Sequence, residues 1–162
     1  MNAADLAPLI TQFYVERAAL LLRHEGVAAH VADYDVNNMY QYVISREETH
    51  ASWLQHALLD LGAAIPAEPA ARPVTTPKGA DAWKGLATED AAANAAFVET
   101  WRPRVAQVTH ARHKGMLNVI LGEMLEHKRL FDQGAAGRHD LIGASLAIND
   151  HPGVVLGTRW VE

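Results

Sequence analysis

The chain has 162 residues, 49% hydrophobic and 20% charged, which suits one globular domain with a buried core. Its formal net charge of -5, with only 14 Lys and Arg, argues against a nucleic-acid partner, which would call for clustered basic side chains. Having no cysteine, it cannot form disulfides, thiolate zinc sites or iron–sulfur centres.

No apolar run approaches the length of a bilayer span, so no membrane partner is expected. Met1 to Asp5 carry no basic stretch and lead into an amphipathic pattern, unlike a secretory signal. A cytoplasmic location is the expectation.

The first helix is expected over Leu6 to Glu25. Leu6, Leu9, Phe13, Leu20 and Val27 recur at helical spacing, with Asp5 and Pro8 near the start and Gly26 as the stop. Glu16 breaks this apolar stripe. The second helix is expected over Asp33 to Leu61, with Asp33 or Asp35 as its cap and Gly62 as its stop. Tyr40, Val43, Leu54, Leu58 and Leu61 form its inward stripe, which Glu47 and His50 interrupt. They are three apart and share a face.

Ala63 to Gly85 holds Pro66, Pro69, Pro73 and Pro77, a linker composition. Its length suits a crossover between two helical hairpins. The third helix is expected from Thr88, through an alanine-rich run ending at Phe97. Pro103 either kinks it or opens the next helix, and Gly115 is a second candidate boundary. The fourth helix includes Met116 to Phe131 and ends near Gly134, and its start is left open between Arg104 and Met116. Residues 1–132 thus read as an all-α, antiparallel four-helix bundle with a long connection between helices two and three. Residues 133–162 read as an extension, with a short helix over Leu141 to Ile148 and an extended arm over Val154 to Val161.

Glu16, Glu47-x-x-His50 and Glu123-x-x-Glu126-His127 lie on three helices and point toward one neighbourhood. Carboxylates converging in a dry core repel one another and lose hydration. Iron or manganese would neutralise them, and bridging carboxylates with imidazoles suit two such ions; zinc is a substitute. The plainer reading makes Glu123, Glu126 and His127 a solvated face pairing with Lys128 or Arg129. His110 and His113 read as solvated, and His24 and His30 as residues at a helix end. Trp53, Trp83, Trp101 and Trp160 read as packing or interface residues.

The stretch REETHASWLQHALLDLG, Arg46 to Gly62, resembles the second helix of the ferritin-like superfamily. GEMLEHKRLF, Gly122 to Phe131, resembles the last bundle helix of rubrerythrins and their relatives. The resemblance implies a ferritin-like bundle with a di-iron or di-manganese centre. Glu16, Glu47, Glu123 and Glu126 would bind or bridge the metals, with His50 and His127 as nitrogen ligands. The third helix departs from the family pattern; Glu89, Asp90 and Glu99 are the candidates there, and spacing to Glu123 favours Glu89. Tyr40, or Tyr14, would supply a nearby proton or hydrogen bond. An oxidoreductase acting with dioxygen or peroxide follows, as a homodimer with an external electron donor, since the rubredoxin-like module has no cysteines here. The competing reading is a non-enzymatic helical module for oligomerisation or partner binding.

Overall fold

A computed structural model of the chain describes residues 3–75, 78–79, 81–138 and 140–142. Among these residues all regular structure is helical, in four elements: α1 (Ala3–Ala28), α2 (Tyr34–Asp60), α3 (Ala82–Ala106) and α4 (Ala111–Ala135). α1 packs on α2 and α3, and α4 packs on α3 and α2, which leaves α1/α4 and α2/α3 on the diagonals of a four-helix bundle.

Helix directions follow from the two apolar clusters. One gathers Leu6 and Leu9 from the start of α1, Leu58 from the end of α2, Val105 from the end of α3 and Leu117 from the start of α4. The other gathers Val27, Val36, Trp83 and Phe131 from the opposite ends of the same helices. Each helix is therefore antiparallel to both of its neighbours, and the connection after α2 must travel the length of the bundle. It lies along α1: a Cβ on Gly26 would come within 2.9 Å of the Val74 side chain. Glycine is required there by this close approach, while α1 itself continues to Ala28 rather than stopping at Gly26.

Capping chemistry sets the other ends. The Asp33 carboxylate accepts from the Val36 amide at 3.0 Å and starts α2. α2 stops where Gly62 takes φ 71°; the Gly62 amide donates to the Leu59 carbonyl and the Ala63 amide to the Leu58 carbonyl, a Schellman pair. α4 ends at Ala135, close to the expected Gly134, and its terminator is Gly137 (φ 84°), whose amide donates to the Gly134 carbonyl while the Arg138 amide reaches the Gln133 carbonyl. Gly134 is instead buried against Met39. α3 begins at Ala82, well before Thr88, and carries Pro103 inside its last turns. Residues 107–110 divide it from α4, so Gly115 is an interior residue of α4 rather than a boundary. The expected C-terminal helix and arm lie outside the described residues beyond Ile142.

The two hairpins repeat one pattern. Arg46 and Glu123 bond to each other and stand 77 residues apart. The same shift carries buried Glu47 onto buried Met124, His50 onto His127, Arg17 onto Asn94 and Leu54 onto Phe131. Because α1 and α3 run in opposite directions, an approximate two-fold axis crosses the bundle between the two apolar clusters. The polar residues of the core gather around it.

Candidate functional site

The buried polar side chains of the described core are Arg17, His24, Glu47, His50, Asp90, Asn94, His113 and His127, and all but His113 belong to the central layer. Every helix contributes. Glu47 is the hub: Arg17 donates to its Oε1 at 2.8 Å, and His24 Nδ1 lies 2.9 Å from both of its oxygens. His127 Nδ1 is 3.8 Å away. Burial alone would raise the Glu47 carboxyl, but His24, Arg17 and His127 hold it well below the usual carboxylate range. It is a buried anion with a cation built against it.

A second acid sits nearby. Asp90 accepts from the Arg23 guanidinium and from the Tyr40 hydroxyl at 2.7 Å, and its Oδ1 is 4.0 Å from His24 Nε2. His24 thus stands between the two acids. Burial, with Asp90 beside it, pushes the Tyr40 hydroxyl up, so Tyr40 stays protonated and acts as a donor to Asp90. Tyr40→Phe is expected to cost about 1–2 kcal/mol, because Asp90 stays buried with one donor fewer. Thermal unfolding followed by circular dichroism measures this, and an unchanged midpoint would show that the hydroxyl contributes nothing.

On the α2/α4 side, His50 Nε2 lies 2.9 Å from Glu123, which Arg46 grips through two further bonds of 2.9 and 2.7 Å. An ionised carboxylate only accepts, so Nε2 carries the proton. Burial, assisted by Arg17, pushes the His50 ring down to about 4 against the pull of Glu123. The ring is therefore neutral at pH 7, and its Nδ1 is a bare lone pair buried without a partner. His24 Nε2, His127 Nδ1, two nitrogens of Arg17 and both polar atoms of Asn94 are also buried without partners.

The structure brings together only part of the expected ligand set. Glu47, His50 and His127 point inward. Glu16 does not; it accepts from Trp101 Nε1 at 2.7 Å and from Gln12 at the α1/α3 edge. Arg17, one position later on α1, faces Glu47 in its place, together with His24. Glu89 is exposed and bonds Arg23 on the outside of α3, while Asp90 beside it faces the core. Glu99 and Glu126 are exposed. Glu123 is half-buried and turned toward Arg46 and His50. Tyr14 accepts from Gln55, apart from this cluster. Sequence reasoning missed Arg17, His24 and Asn94; their signal was helical spacing, with Arg17 four residues after Phe13 and His24 seven after Arg17 on α1, and Asn94 four after Asp90 on α3.

A carboxylate-bridged pair of metals does not fit this arrangement. Bridging requires several acids at one point, and the two acids buried among the described residues are each already faced by an arginine. At the position related to Glu47 by the internal two-fold stands Met124, and at that related to Arg17 stands Asn94, so the symmetry supplies no second acid. Among the described residues no group of three or more His, Asp or Glu side chains is arranged to hold a metal ion.

No protein-family model, no curated protein and no solved structure matches the chain. Among the described residues no helix is long and apolar enough to cross a membrane.

Proposed function

We propose that the protein is a non-enzymatic helical binding module whose core has replaced a metal centre with its own cations. The observation that carries this reading is the contact of Arg17 with Glu47, at 2.8 Å with the two side chains 2% and 0% exposed. Arg17 and Arg23 offset the charge of Glu47 and Asp90, which removes the electrostatic need for a metal. The helix order and the long crossover support a ferritin-like relationship; the ligand positions do not support its redox chemistry. Binding would fall to the cleft of about 770 Å³ between the crossover and the α1/α3 face, floored by Leu20, Ala93, Ala96 and Phe97 and roofed by Pro69 to Val74.

A second reading has one specific observation in its favour. A histidine that donates one N–H to a carboxylate while presenting its other nitrogen bare is the arrangement that orients metal-binding imidazoles, and His50 with Glu123 has it. Glu47, His50 and His127 would then hold one iron or manganese ion, with Arg17 displaced, in an oxidoreductase acting with dioxygen or peroxide.

Metal analysis of untagged protein, followed by ferrous reconstitution under an oxygen electrode, separates the two. The expected result is far less than one ion per chain and no oxygen uptake above the free-iron control. One or more tightly held iron or manganese ions per chain, lost in His127→Gln, would overturn the first reading and establish the second.

A further inference from the structure

A second histidine cluster lies at the far end of the bundle, outside the core layer. His113 opens α4 and is only 5% exposed, yet its Nε2 is buried without a hydrogen-bond partner. The state of this nitrogen follows from its neighbours. His110 Nδ1 accepts the His113 backbone amide as the α4 cap, so it holds a lone pair. In the 2.9 Å contact between His110 Nδ1 and His113 Nδ1, the proton therefore belongs to His113. A neutral imidazole carries one proton, and here it sits on Nδ1. Its Nε2 is thus a bare lone pair.

His56 on the neighbouring α2 is oriented in the same sense. Its Nδ1 donates to the Ser52 carbonyl at 2.8 Å, which leaves Nε2 as the free nitrogen. His56 and His113 line one pocket of about 210 Å³, together with the Met116 thioether, the Trp53 indole, Ala57 and Arg112. The pocket offers two imidazole nitrogens and a soft sulfur, with no carboxylate in its wall. Arg112, paired with Asp60, and the positive end of α4 disfavour a doubly charged ion here. A soft, singly charged ion meets less repulsion and is the kind that thioether and imidazole donors select.

The geometry points to a site for one Cu(I) ion held by His56 Nε2, His113 Nε2 and Met116 Sδ, with Trp53 against it. The site uses none of the core residues, so it stands whichever reading of the core holds. His56 is exposed and Met116 half-buried, so both have room to close over an ion presented to His113.

The test is an anaerobic titration of the full chain with Cu(I) alone, in competition with a chromogenic Cu(I) chelator. One equivalent per chain is expected, with quenching of tryptophan fluorescence and a raised unfolding midpoint. His56→Gln and Met116→Leu, at positions that tolerate change, should each weaken binding at least tenfold while keeping native circular dichroism. His113→Gln should abolish it; if that variant fails to fold, the other two still decide. Failure of the wild-type chain to compete for Cu(I), binding unchanged in both folded variants, or Zn²⁺ held as tightly as Cu(I) would each overturn the proposal.

Discussion

Arg17→Met is expected to destabilise the fold by about 3–5 kcal/mol, the usual range when one partner of a buried ion pair is removed. Glu47 would stay in place, fully buried, facing only imidazoles. Most of the loss comes from that unpaired carboxylate rather than from the attraction given up. Replacing both partners, Arg17→Met with Glu47→Leu, should therefore be less harmful than Arg17→Met alone, since it removes the buried charge as well as its counterion. Recovery will be partial, because His24 Nδ1 then loses its acceptor. Urea unfolding of the four chains of this cycle measures the coupling. A single-mutant loss below about 1 kcal/mol would mean that Arg17 is not the cation on which Glu47 depends.

Acid should destabilise the protein in two separable stages. The unfolded chain takes up a proton at His50 near its ordinary value, while the buried ring resists until about pH 4. Between those limits the unfolded state binds more protons, so stability falls as pH falls. The cost is roughly 3 kcal/mol for this one ring, because each pH unit across which only the unfolded ring is protonated costs about 1.36 kcal/mol. Glu47 acts lower down. Its folded carboxyl is held below its unfolded value, so its contribution is present above the unfolded value and is lost only as pH drops through the depressed one. His50→Gln retains a donor for Glu123 but has no proton to gain. Its unfolding free energy should be flatter than wild type from about pH 6.5 to 4 and parallel to it below. Equal slopes in the upper window would show that His50 does not carry this dependence.

The candidate site is half legible in the sequence. Glu47 and His50 stand out because they interrupt an apolar stripe whose register Tyr40, Val43, Leu54 and Leu58 establish on both sides. His127 stands out for the same reason, between Met124 and Leu130. The departures on α1 and α3 are one-residue departures. After Phe13 a helix stripe continues at either Glu16 or Arg17, and the resemblance to the ferritin-like ligand pattern selects the acid. Glu89 and Asp90 pose the same choice, and spacing points to the wrong neighbour. His24 reads as a helix-end residue because Gly26 resembles a terminator; the helix runs on to Ala28 and leaves His24 in the core. His113 reads as solvated because Arg112 and Lys114 flank it, yet the ring is buried in the structure.

What the sequence determined by itself was the helical bundle and its division into two hairpins. Helical periodicity and a proline-rich break are local properties, written in neighbouring residues and read without knowing what packs against them. What only the tertiary structure decided was which cation meets Glu47. A step of one residue turns a side chain by roughly 100° around a helix, enough to exchange core for edge. Whether Glu16 or Arg17 faces inward therefore depends on how α1 is rotated against α2 and α3. That rotation is set by the whole interface, through Phe13, Trp101 and the crossover lying on Gly26, and it turned Glu16 to the α1/α3 edge and placed Arg17 against Glu47.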